Sequence, residues 1–83
     1  MDSSQLKIVT IDAIGQPCPM PLLMLKRALK ANSITETKFH LISSDENSEV
    51  DILRYCQLHH LQCRFQMISD HEFHYEIAQN MQD

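Results

Sequence analysis

The run Leu61-Gln62-Cys63-Arg64-Phe65-Gln66-Met67, followed shortly by Phe73-His74-Tyr75-Glu76-Ile77, alternates apolar and polar side chains without a break. Successive side chains of a strand point to opposite faces, so each run reads as a strand with one wet face and one dry. Ser69-Asp70-His71 joins them as a hairpin turn. A lone hairpin is marginal in water, so the rest of the chain must cover its dry face.

Working back toward the N-terminus, Ser44 to Glu49 is polar, and Ser48-x-x-Asp51 is a capping signal for a helix. Val50, Leu53 and Leu58, with Tyr55 or Cys56, would form its buried stripe. Lys38 to Ser43 is a further strand, with Phe39 and Leu41 on one face and His40 and Ile42 on the other. Leu22, Leu25 and Leu29, with Met24 and Ala28, have helical spacing, with Lys26, Arg27 and Lys30 on the other side and Asn32-Ser33 as the stop. Lys7 to Asp12 is the first strand. Leu6, Ile8, Val9 and Ile11 fill both parities, which predicts a strand covered on both sides or an inner strand. Asp12 to Pro17 is a turn holding the only glycine, Gly15, at a position expected to need positive φ.

The order is therefore βαβαββ, a single domain over 1–83. It predicts an α/β (α+β) two-layer sandwich in which right-handed crossovers put two helices on one face of a mixed four-stranded sheet. The other face stays open. Ile42 or Ile68 on it makes it a candidate contact surface.

Composition narrows the function. The 83 residues are 43% hydrophobic and 22% charged, as in an ordinary folded domain. A net charge of −4 argues against direct nucleic-acid or anionic-membrane binding. Met20 to Leu25 is the longest apolar stretch, broken by Pro21 and far short of the roughly 18–20 residues of a membrane span. The polar start Met1-Asp2-Ser3-Ser4-Gln5 is unlike a signal peptide, so a cytoplasmic location and reduced thiols are expected. Three cysteines are too few for a disulfide framework.

All three prolines of the chain fall in Pro17-Cys18-Pro19-Met20-Pro21, around one thiol. Pro19 pushes Cys18 toward the extended geometry of a helix cap and itself suits the first helical position. Pro21 disfavours α geometry at Met20, so the alternative start is Pro21 with Met20 as cap. In both cases Cys18 lies within about one turn of the helix start. The helix dipole there favours a thiolate by about 0.3–2 kcal/mol, which is expected to lower a thiol pKa of about 8.5. The N–H groups of Met20 and Leu22 would be the nearest donors. Cys56 and Cys63 fit apolar faces and read as buried structural thiols. Proline at position 21 takes the place of the second cysteine of a C-x-x-C pair, which disfavours dithiol exchange. A lone reactive thiol forms mixed disulfides, is oxidised, or takes up sulfur as a persulfide.

Ile11-Asp12-x-x-Gly15-x-x-Cys18-Pro19-x-Pro21 closely resembles the N-terminal signature of the TusA (SirA/YedF/YeeD-like) sulfur carrier family, and Ser44-Asp45, Asp51-Ile52 and Tyr55-Cys56 resemble its second-helix region. The resemblance implies a βαβαββ fold similar to the C-terminal domain of a bacterial translation initiation factor. It also implies a sulfurtransferase that holds a persulfide on Cys18. Sulfur would come from a cysteine desulfurase or rhodanese-like donor and go to an acceptor relay protein, in one branch toward transfer-RNA thiolation. Gly15 would make the turn, Asp12 brace the loop, and Pro19, Met20 and Pro21 set the helix start. No cofactor or metal is implied, and a monomer is expected. The chain departs from the family at Thr35-Glu36 and near His60, where members often carry glycine; His60 in left-handed geometry would be strained.

The five histidines match no four-ligand zinc spacing. Lys26, Arg27 and Lys30 form the only basic cluster, either a solvated helix face or a docking patch for an acidic partner. Two other classes of function stay open at this point: a non-catalytic interaction module using the open sheet face, and a redox-sensing thiol.

Overall fold

The computed structural model describes residues 7–79. Its elements are β1 (Lys7–Ala13), α1 (Met20–Ala31), β2 (Thr37–Ser43), α2 (Ser48–Leu58), β3 (Leu61–Ser69) and β4 (Glu72–Gln79). The sheet order is β1-β2-β4-β3, with β1 and β2 parallel and the other pairs antiparallel. α1 packs on β1 and β2, α2 on β3, and the helices touch each other. This is the α+β sandwich that the patterning predicts.

The hairpin's dry face is the floor of the core. Phe73, Tyr75 and Ile77 are buried because β4 is flanked on both sides, whereas Cys63 and Phe65 on the edge strand β3 are half-buried. The Phe65 ring lies 5.2 Å from Tyr75 and 6.1 Å from Phe73, within the range of favourable aromatic pairs. Phe39 and Leu41 continue the floor on β2, and Leu25, Ile52 and Cys56 close it from the helices. Met67 shares the parity but not the burial: it is 58% exposed, next to the register shift between Met67 and Ser69.

Two expectations need correction. First, β1 is an edge strand, paired only with β2, and Ile8 is 65% exposed; only Val9, Ile11 and Ala13 turn toward the helices. Leu6 lies outside the described residues. Second, the buried stripe of α2 is Ser48, Ile52 and Cys56, at the four-residue spacing of one helix face, while Val50 and Leu58 are exposed. Each of those two stands two positions from a buried residue, a rotation of about 200°. Ser48 is the first helical residue, Asn47 holds the cap position, and the Ser48 hydroxyl is turned inward. It lies 2.7 Å from the Asp45 carbonyl, 2.9 Å from the Tyr75 hydroxyl and 3.1 Å from Ser43 Oγ. The open face carries Ile42 and Ile68, as expected, within a largely polar surface. Lys38, His40, Arg64, Gln66, His74 and Glu76 share it in register, Ile42 is half-buried among them, and Ile68 is exposed near the hairpin tip. His40 Nε2 meets His74 Nδ1 at 3.0 Å, and His74 Nε2 meets Glu72 Oε2 at 2.7 Å.

α2 ends with the His59 N–H on the Tyr55 carbonyl, and His60 then turns the chain into β3 at φ 58°. A side chain with a Cβ is strained there, and this one is exposed. His60→Gly is expected to raise stability by about 1 kcal/mol, read as a higher urea midpoint at constant slope. A lower midpoint would contradict this reading.

Candidate functional site

β1 and β2 are parallel neighbours with Ala13 opposite Ser43, so their carboxyl ends lie together. Each leads through a loop into a helix, and both helix starts come to the same end of the sheet. Open sheets with parallel strands form sites there.

The first loop is tied down at every step. Asp12 Oδ1 accepts the Ile14 N–H at 3.1 Å, and the Gln16 N–H donates to the Ala13 carbonyl at 3.1 Å. Gly15 has φ 82° and donates its N–H across to Ser44 Oγ at 2.8 Å. The Met20 N–H donates to the Pro17 carbonyl at 2.8 Å. α1 begins between the two starts the sequence allows: Pro19 is the cap, Met20 the first residue and Pro21, buried, the second. Proline has no side-chain acceptor, so no side chain caps the helix.

Cys18, half-exposed, precedes the cap. Its N–H donates to Asp45 Oδ2 at 2.5 Å, and its Sγ donates to Asp51 Oδ2 at 2.8 Å. Asp45 also accepts the Asn47 N–H on Oδ1 at 2.8 Å, while its carbonyl takes the Ser48 N–H and hydroxyl. One aspartate thus builds the β2–α2 turn and fastens the cysteine loop to it.

These carboxylates reverse the expected titration of the thiol. The hydrogen bond to Asp51, then partial loss of water, then the negative charges of Asp51 and Asp45 push Cys18 up to about 11. The donors expected to favour a thiolate do not offset this. Pro19 and Pro21 have no N–H, and Met20 spends its own on Pro17. Charges in direct contact outweigh a helix dipole of modest size.

Sequence reasoning places Asp51 in a helix-capping signal and Asp45 in the family match, and links neither to Cys18. The signal that finds them is topological: parallel β1 and β2 bring the first turn of α2 beside the loop after β1.

The remaining candidates are dispersed. Lys26 lies over the Tyr55 ring at 5.4 Å from its centroid, leaving Arg27 and Lys30 exposed. Cys56 is buried and Cys63 half-buried; both are free thiols, and hydrogen bonding to Cys56 together with burial pushes Cys63 up. No group of three metal-donor residues occurs among the described residues. A hollow of about 610 Å³ lies between Gly15–Pro17, the β2–α2 turn and the hairpin tip, and Cys18 does not line it.

The family model of sulfurtransferase TusA matches residues 9–78, from β1 through β4 and across the Cys18 loop. The chain belongs to the TusA sulfurtransferase family. Its fold is also that of a solved SirA-like protein from Desulfitobacterium hafniense, with a TM-score of 0.75 at 21% identity, covering 84% of this chain and 95% of that one. No curated protein matches the chain. Within the TusA fold, the matched segment holds the cysteine loop and both aspartates that fasten it.

Asp45→Ala removes a charged acceptor from two backbone N–H groups. It is expected to cost about 1.5–3 kcal/mol in urea unfolding. A change within about 0.5 kcal/mol, ordinary for a neutral surface site, would show that the loop is held by other contacts.

Proposed function

We propose that the chain is a cytoplasmic sulfur carrier that holds sulfane sulfur as a persulfide on Cys18. The donor is a cysteine desulfurase or a rhodanese-type protein, and the acceptor is another relay protein, with transfer-RNA thiolation among the family's destinations. The observation that carries the reading is the position of Cys18. Its thiol stands half-exposed on a braced loop, at the paired carboxyl ends of β1 and β2 and outside the neighbouring hollow of about 610 Å³. An enzyme acting on a small molecule buries most of its substrate in a concave site. A carrier needs its sulfur where a partner protein can reach it.

Loading is an exchange at sulfur. Cys18 Sγ attacks the terminal sulfur of the donor persulfide, a bond forms between them, and the bond to the donor cysteine breaks with its electron pair going to the donor thiolate. Cys18 is oxidised as the donor cysteine is reduced, so no external oxidant enters. Discharge repeats the exchange with an acceptor thiolate as nucleophile. In this scheme Asp12 and Gly15 shape the loop, Pro19, Met20 and Pro21 set the helix start, and exposed Arg27 and Lys30 speed encounter with an acidic partner. An interaction module using the open sheet face would meet its partner through the largely polar surface of Lys38, His40, Arg64, Gln66, His74 and Glu76. A redox sensor would instead form a stable sulfenic acid or glutathione adduct on Cys18 with no transfer of sulfur.

Reduced protein incubated with a cysteine desulfurase and cysteine, or with a rhodanese-type donor, is expected to gain one sulfur. Intact mass and adduct mapping should put it on Cys18 and show its removal by reductant. Cys18→Ser should fold and take up none. An unmodified Cys18 with both donors, or loading that persists in Cys18→Ser, would contradict the assignment.

A further inference from the structure

Asp51 is the side chain in direct contact with the Cys18 sulfur, and the carrier scheme above gives it no part. It sits half-buried in the first turn of α2, three residues after Ser48, whose hydroxyl is locked into the core by Ser43, Tyr75 and the Asp45 carbonyl. The helix start is therefore fixed in place, and with it the direction from which the carboxylate reaches the thiol. On the other side, the Cys18 backbone is held by Asp45 through its N–H. Sγ is thus located by two independent attachments, a main-chain one from Asp45 and a side-chain one from Asp51 at 2.8 Å.

A carboxylate can only accept from a thiol, so the S–H bond points at Oδ2 and the proton stays on sulfur. Resting on the carrier reading, we propose that Asp51 is the positioning residue of the sulfur-transfer site, aiming Cys18 Sγ and keeping its proton in place until a donor persulfide has docked. In the balanced loading step the proton leaves Cys18 Sγ and ends on the donor's departing thiolate, while the terminal sulfur moves the other way and Asp51 is unchanged. The nucleophile is exposed only when a partner supplies a site for its proton. A free carrier is correspondingly slow to react with stray electrophiles and oxidants.

The test is the pH dependence of iodoacetamide alkylation at Cys18, followed by peptide mass in the wild-type protein and in Asp51→Asn, with folding checked by circular dichroism. The wild-type rate should rise toward an inflection near 11, and that of Asp51→Asn should inflect lower, toward the ordinary thiol range of about 8.5. At pH 7.5 a fall of about two units gives roughly 100-fold more thiolate. Weaker intrinsic nucleophilicity cuts this to roughly 10-fold faster alkylation. Asp51→Ser, which also lacks the charge, should shift the profile the same way and serves if Asp51→Asn does not fold. Superimposable wild-type and variant profiles, or slower alkylation in the variants, would overturn the proposal. Alkylation needs no sulfur donor, so failure of Cys18 to load sulfur would sink the carrier reading without altering this result.

Discussion

Two carboxylates on one cysteine organise this end of the molecule. Asp45 takes the Cys18 N–H and Asp51 the Cys18 thiol, and both belong to the segment that turns β2 into α2. The contact is possible because β1 and β2 are parallel neighbours, which obliges both connecting loops to leave the sheet at the same end. The Gly15 N–H on Ser44 Oγ adds a third tie between the loops. Beneath them, the Ser48 hydroxyl joins the turn to Tyr75 in the middle of the core. The thiol's geometry is in this way continuous with the packing of β4, and the loop is not a free appendage.

The fold was legible where periodicity had one reading. The alternation in Leu61–Met67 and Phe73–Ile77 needs no tertiary information, and neither do the Leu22-Leu25-Leu29 spacing and the lone Gly15. Legibility failed where an apolar residue had two possible partners. Val50 and Leu58 look as suitable as Ile52 and Cys56 for the α2 stripe, and only the core decides between faces. Ile8 suggested an inner strand, but an edge strand tolerates an exposed isoleucine.

At the site, local chemistry was legible and long-range chemistry was not. The prolines place Cys18 at a helix start, and the structure has it one residue before the cap. The helix dipole argument then predicted a lowered thiol pKa, because a dipole can be read from neighbours in sequence. The opposing carboxylates stand 27 and 33 residues away along the chain. Finding them takes the parallel pairing of β1 with β2, a fact that the pattern of either strand alone does not contain.

The resulting picture of the TusA-family chain is a thiol that is reachable yet guarded, held at the surface by contacts that reach into the core. The most direct test is an NMR titration of the reduced protein carrying 13Cβ-labelled cysteine, following the Cys18 resonance as pH rises. The account predicts a midpoint near 11, far above neutrality. A midpoint at or below the ordinary thiol value of about 8.5 would contradict it, because the helix start would then outweigh the two aspartates.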